Sequence, residues 1–268
     1  MEKLSNSKEK RNIRKSFQHD SDLMNSINIK LFRKKENHKK VQFILEKTDI
    51  TKEIIFLANE ISNLNPYHNF GHQLGVAETA IIIGETEGCS RKEVNLLALC
   101  GLFHDAKHLG KYIENAEENS YITAIETLPE HVFQKLQISK SEFFELIMAT
   151  KIKKHGKLQN KLAKIIQDAD LWWLARWPEY LLYTSMWILD EENINKETFL
   201  QIQEEFINKI QQESKSFFVS EWAKEVFIEP KEGLKILQYR PKEKIEKAYE
   251  LRKQDISFEE FCKKLNDI

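Results

Sequence analysis

Five prolines and eight glycines are all that punctuate a chain of 268 residues. Sheet proteins need more turn chemistry than that, because tight connections draw on residues that preset φ or accept positive φ. Apolar residues recur instead at helical spacing, and no run of alternating strands stands out. The chain is therefore expected to be all-α. Thr51 is placed to cap a helix through Ile54, Ile55, Leu57, Ala58 and Ile61, and Asn65-Pro66 breaks it. A second helix is expected from near Phe70 to Glu87, with Leu74, Ala77, Ile81 and Gly84 on one stripe and Gly88 as its C-terminal cap. Ser90 and Glu93 have capping-box spacing and open a third, which carries Val94, Leu97, Ala98, Gly101 and Leu102 inward and ends at His104-Asp105. Further helices are expected over roughly Glu117–Leu128, Ser141–Lys151 and Leu158–Asp168, and from Pro178 through Leu189. The last ones cover roughly Phe199–Ile210, Phe217–Phe227, Lys242–Lys253 and Phe258–Leu265.

The segment 1-50 reads as a basic N-terminal extension, partly disordered, with short helical patches at Leu31-Phe32 and at Val41, Ile44 and Leu45. Residues 51-268 read as one main domain. Fourteen Lys and Arg against seven Asp and Glu give the stretch up to Lys52 a charge of +7, within a chain whose net charge is -1. A solvated arm is the ordinary meaning of such a stretch, so nucleic acid is not an expected partner. Cys89, Cys100 and Cys262 are scattered and odd in number, which argues against a disulfide framework and for a reducing, cytoplasmic setting. No apolar run approaches the length of a membrane span, and no secretory signal is visible.

Four of the eight histidines fall in two short segments, Tyr67-His68-Asn69-Phe70-Gly71-His72 and Phe103-His104-Asp105-Ala106-Lys107-His108. His68 and His72 have the i,i+4 spacing that puts two side chains on one helical face. Neutral imidazoles and carboxylates that converge with open positions suit a hydrolytic metal site. His72, His104 and Asp105 supply three ligands. His104 and Asp105 point about 100° apart on an ideal helix, so both reach one ion only near a helix end. A fourth ligand is expected from Gln167-Asp168-Ala169-Asp170-Leu171, with Asp170 the first choice and Asp168 the second.

This set of His, His-Asp and a distant Asp resembles the signature of the HD phosphohydrolase superfamily. Tyr67-His68-Asn69-x-x-His72 and Phe103-His104-Asp105-x-x-His108-x-Gly110 are similar to the first and second motifs of the class I 3',5'-cyclic nucleotide phosphodiesterases, and Asp170 to their late metal-binding aspartate. The resemblance implies a compact multi-helix catalytic domain that hydrolyses a nucleotide phosphodiester, with a cyclic nucleotide as first substrate. It implies two divalent ions, zinc in the tighter site and magnesium or manganese in the second. His72, His104, Asp105 and Asp170 would hold the tighter ion, and Asp105 would bridge to the other. His68 would be the general acid, His108 would lie beside the second ion's water shell, and Glu118 would be a supporting acid.

Around that core the chain departs from the phosphodiesterase pattern. Leu109 stands where proline is expected, Ile113 near an expected asparagine, and Lys151 where aspartate is frequent. The purine-reading glutamine is absent, with Lys224 in its neighbourhood. Tyr67, Asn69, Trp172 and Phe227 are the candidate substrate-binding residues, Phe227 as a base clamp and Trp172 as a pocket wall. The alternatives are a phosphomonoesterase acting on nucleotides or another small phosphate ester, and a non-catalytic metal-binding module.

Overall fold

The computed structural model describes residues 29–62, 65, 67–107, 115–151, 160–172, 217–227 and 241–251, with shorter stretches at 195–198, 200–202, 205, 208, 254 and 258–267. Among these the chain is all-helical, with no β-strand. In order the helices are α1 (Ile29–Lys47), α2 (Lys52–Ile61), α3 (Phe70–Thr86), α4 (Arg91–Phe103), α5 (Ala116–Thr127), α6 (Glu130–Leu136), α7 (Lys140–Ile147), α8 (Lys161–Asp170), α9 (Glu221–Val226), α10 (Pro241–Leu251) and α11 (Phe258–Asn266). The expected helices over Pro178–Leu189 and most of Phe199–Ile210 lie outside the described residues.

Two helices form the centre. Helix α4 buries every residue from Val94 to Phe103, and α3 buries residues on all sides from His72 to Gly84. Such helices have no solvent stripe, so the single apolar faces expected from sequence understate their burial. They pack on each other at very short range, because Gly101 faces the backbone of Ala77. Helix α8 packs on both, α7 packs against α4 and α5, and α1 lies along α3. The core thus reaches back into the basic segment, where Ile44 on α1 is fully buried.

Local chemistry sets the helix ends. The Thr51 hydroxyl accepts from the Ile54 amide, and Ser90 and Glu93 form a complete capping box. A second capping box joins Ser139 and Glu142 at the start of α7. Gly88 takes a φ of 72° after α3, the left-handed conformation a glycine adopts without a steric cost. Behind α1, Asp49 accepts from the Arg91 guanidinium and from Asn95 Nδ2, while Asn95 Oδ1 accepts from the Asp49 amide at 2.9 Å. Arg91 and Asn95 together hold the Asp49 carboxyl below its usual range. This network fixes the end of α1 against the first turn of α4.

Helix α9 starts later than expected, at Glu221 rather than Phe217, and buried Asp168 explains why. Its carboxylate accepts from the amides of Val219, at 3.0 Å, and Ser220, at 2.7 Å. Both amides turn to Asp168 while Ser220, at an extended ψ of 152°, serves as the N-cap, so the helix begins after it. The same contacts tie α8 to the segment that leads into α9. Burial nevertheless pushes the Asp168 carboxyl up to about 6, against the pull of the Ser220 and Val219 hydrogen bonds.

Candidate metal centre

Helix ends deliver the motif residues to one point. Asn69, with an extended φ of −132°, is the N-cap of α3, and its Oδ1 accepts from the amides of Gly71 and His72. His68 therefore precedes the helix and does not share its face with His72, as the i,i+4 spacing alone suggested. The Asn69 side chain is engaged on both sides, since Nδ2 donates to the Asn65 carbonyl at 3.0 Å. His72 lies in the first turn of α3 and is buried. His104 is the C-cap of α4, Asp105 begins the turn that follows, and Asp170 is the last residue of α8. Helix α8 continues two residues beyond its expected end at Asp168, and that extra length carries Asp170 to the cluster.

Ligand atoms of His72, His104 and Asp170 converge there, with Asp105 Oδ2 against both imidazoles. His72 Nε2 is 3.2 Å from His104 Nε2, 3.3 Å from Asp105 Oδ2 and 3.2 Å from Asp170 Oδ1. His104 Nε2 is 3.0 Å from Asp105 Oδ2 and 3.2 Å from Asp170 Oδ1. Ligands about 2.0–2.2 Å from one cation stand about 3.0–3.5 Å from one another, so the spacing fits a shared ion. A second observation agrees: Asp105 Oδ2 is buried and makes no hydrogen bond. A third concerns the tautomer. The Gly101 carbonyl, 3.0 Å from His104 Nδ1, takes the proton there and leaves Nε2 as the ligand atom. The donor set, two imidazoles and two carboxylates, suits zinc and other divalent first-row metals.

The electrostatics point the same way. Burial opposes charge on His104, but Asp105 and Asp170 outweigh it and hold the imidazole well above its ordinary value. Burial also opposes charge on Asp105 and Asp170. His104 and His68 keep Asp105 well below the usual carboxylate range, and His104 and His72 keep Asp170 at about 2. The cluster is thus a pair of carboxylates that demands positive charge at its centre. A proton meets that demand, and a divalent cation meets it more fully.

Around the cluster lie the other candidates. The His68 ring centre is 5.9 Å from that of His72, beside the four ligand atoms and not among them. The Tyr67 ring packs at 4.5 Å on His72 and at 4.8 Å on His68. Glu118, in the first turn of α5, has one oxygen 3.6 Å from Lys151 Nζ and the other buried. Glu117 approaches the same ammonium at 3.6 Å. Ser120 on α5 donates to the Ala106 carbonyl, which brings this acidic turn next to the His-Asp pair. Trp172 lies two residues beyond Asp170 and packs against Gly75 of α3. Phe227 is in the core, with ring centres 4.9 Å from Phe218 and 5.5 Å from Trp222. His108 lies outside the described residues.

Sequence reasoning missed the Gly101 carbonyl that orients His104, for which the only signal is its place three residues upstream. It also missed Asn37 and Lys40 of α1, which approach Gly71 and Gly75. The apolar spacing of Val41, Ile44 and Leu45 was the available sign that this part of the basic segment packs.

Residues 69–171 match the family model of the HD domain, a span that starts at the cap of α3 and ends just after Asp170. The matched span contains His72, His104, Asp105 and Asp170, so the segment that supplies the clustered residues is similar to an HD domain. The chain is also similar to the crystal structure of the phosphodiesterase domain of Salpingoeca rosetta rhodopsin phosphodiesterase. That pair has 16% identity and a TM-score of 0.48, over 87% of this chain and 86% of that one. The phosphodiesterase domain of the RhoPDE fusion protein from the choanoflagellate Salpingoeca rosetta is similar at 16% identity and a TM-score of 0.45, over 100% and 94% of the two chains. No curated protein matches the chain. Among the described residues no helix is long and apolar enough to cross a membrane.

Proposed function

We propose that the chain is a metal-dependent phosphohydrolase that cleaves a nucleotide phosphodiester, with a 3',5'-cyclic nucleotide giving a 5'-monophosphate as the leading reaction. The observation that carries the reading is the convergence of His72, His104, Asp105 and Asp170 with a separate imidazole, His68, at their side. A site built only for stability needs no such imidazole. The HD domain over the same residues supports the hydrolytic reading.

In this reading His72, His104, Asp105 and Asp170 would hold zinc, and Asp105 would also serve a second ion, magnesium or manganese. Bound there, divalent ions lower the pKa of water and neutralise phosphoryl oxygens. The chain's own residues do the rest. His68 donates an imidazole proton to the departing alkoxide, a poor leaving group, and such acid catalysis is worth about 10²–10⁴-fold in rate. Tyr67 packs against both His68 and His72 and keeps their rings in register. Glu118 supports the polar wall beyond Asp105, and His108 is assigned beside the second ion. With Phe227 packed into the core, Trp172 is the ring best placed to stack on a base.

The test is a panel of cyclic and linear nucleotides and simple phosphomonoesters, offered to purified protein with manganese or magnesium. Diester turnover that falls about 10²–10⁴-fold in His68→Ala, with metal content intact, is the expected result. Turnover of monoesters alone would replace the diester reading with a phosphomonoesterase. Full activity in Asp105→Ala or His104→Ala would end the hydrolytic reading altogether.

A further inference from the structure

A lysine of the basic segment lies close to the elements that carry the cluster. Lys40, on α1, stands over the Trp172 ring with its ammonium 5.8 Å from the ring centre. The same ammonium lies 3.4 Å, and the Trp172 ring 3.5 Å, from the position a Cβ on Gly75 would occupy. Gly75 is three residues beyond His72 on α3, and positions three apart on a helix have Cβ atoms about 5–6 Å from each other. Trp172 is two residues beyond Asp170 at the exit of α8. Lys40 is thereby fixed between the two elements that carry metal-cluster residues, about one helical turn from His72.

Lys40 is half-buried, yet no carboxylate among the described residues pairs with it. Lys47 and Lys151, by contrast, are matched, Lys47 by Glu85 and Lys151 by Glu117 and Glu118. An aromatic face holds an ammonium by its quadrupole without using its hydrogens, which stay directed outward. The aliphatic stem of Lys40 is partly buried along α1 while its ammonium ends beside the Trp172 ring, where its hydrogens can reach a ligand's anion. Lysine is a compact point charge suited to phosphate oxygens.

We propose that Lys40 is a substrate-binding residue, which holds a phosphate oxygen of the ester at the metal centre while Trp172 forms the wall behind it. This rests on the phosphohydrolase reading for the identity of the anion. It makes α1 part of the site and gives the basic segment a function besides solvation.

The test compares wild-type full-length protein with Lys40→Gln, Lys40→Arg and, as a control on an exposed lysine, Lys52→Gln. Binding of adenosine 5'-monophosphate and of inorganic phosphate is measured calorimetrically with manganese present, alongside thermal unfolding and steady-state kinetics on the substrate found in the panel. In Lys40→Gln we expect binding of the nucleotide to weaken about tenfold and KM to rise by a similar factor, with kcat and Tm unchanged. Lys40→Arg should recover most of the affinity, and Lys52→Gln should match wild type. Undiminished binding in Lys40→Gln overturns the proposal, as does a wild type that binds neither probe. Equal loss in the Arg and Gln variants with a lowered Tm also overturns it, because the lysine then serves only packing. Lys40-dependent binding without turnover of any substrate supports the anion site while refuting the hydrolase.

Discussion

Gly101→Ala joins the packing of the fold to the geometry of the site. A Cβ at Gly101 would stand 2.6 Å from both the Cα and the backbone nitrogen of Ala77, and 3.0 Å from its Cβ. Carbon contacts are most favourable at about 3.5–4.0 Å, so α4 and α3 must separate by about 1 Å locally. The obstacle is backbone on both sides, and no rotamer relieves it. The cost therefore falls at the upper end of the overpacking range, about 3 kcal/mol. Alanine's better helix propensity returns about 1 kcal/mol. The net loss is about 2 kcal/mol, or about 4–8 °C in Tm for a chain of this size.

Gly84→Ala is the internal control. Its Cβ would meet Leu97 Cδ1 at 2.8 Å, a methyl at the end of a side chain that can rotate aside. Here the strain and the gain in propensity nearly cancel, and Tm should move by about 2 °C or less. Thermal unfolding followed by far-UV circular dichroism distinguishes the two variants. Because the Gly101 carbonyl orients His104, Gly101→Ala should also weaken metal binding about tenfold, measured by competition with a chelating dye. A Gly101→Ala protein as stable as wild type, or less perturbed than Gly84→Ala, would refute the close α3–α4 approach on which the ligand positions rest.

Addition of zinc or manganese should raise Tm, by about 2.7 kcal/mol in stability at a hundredfold excess over Kd, and release protons in weakly buffered solution. Asp170→Ala should abolish both effects, and an unchanged shift in that variant would rule out the cluster. Asp168 is a pH-dependent element: with its carboxyl raised to about 6, the folded chain holds a proton that the unfolded chain loses near its ordinary value of 3.8. Its contribution to stability is thus fully present below about pH 4 and declines as pH rises through about 6. Asp168→Asn should flatten that part of the stability profile while costing about 1–3 kcal/mol through the Val219 and Ser220 amides, as read by urea unfolding across pH. Lys107 has a φ of 55° in the turn after the His-Asp pair. Lys107→Gly relieves a strain of about 1–2 kcal/mol against a smaller loss of backbone entropy, so Tm should rise by about 1–3 °C, and a fall would disprove the strain.

Where the sequence was legible, one short-range interaction decided the outcome. Ser90 and Glu93 satisfy each other's backbone donors within four residues, so the start of α4 could be read from them alone. The His104-Asp105 pair was placed at a helix end because side chains so oriented cannot meet inside a helix. Illegible elements depend on distant partners. Helix α1 is one continuous run, and polar Asn37 and Lys40 as well as its later apolar residues lie against α3, so its charge density reads as a solvated arm although part of it packs. Helix α6 spans seven residues between Pro129 and Gln137, whose φ of 57° ends it, and is too short for a periodic signal. The start of α9 was misplaced because the amides of Val219 and Ser220 serve Asp168, 51 and 52 residues upstream. For the same reason the apolar pattern around Phe227 could not distinguish a base clamp from the packed ring it is.

The ligands come from a particular part of each helix, and that has an electrostatic consequence. His104 and Asp105 sit at the C-terminal end of α4, and Asp170 is the last residue of α8. A helix C-terminus carries roughly half a negative charge, so two of them add about one unit beside the two carboxylates. The N-terminus of α3, at His72, returns about half a positive unit. The backbone therefore reinforces the negative potential set by Asp105 and Asp170, and does so without side chains that a substrate could displace. Asp170→Asn would keep the shape of the cluster while removing one unit of this charge, and should weaken binding of a divalent ion more than His72→Gln does, as read by chelator competition. The demand for a cation thus comes from where the helices end as well as from which residues stand there.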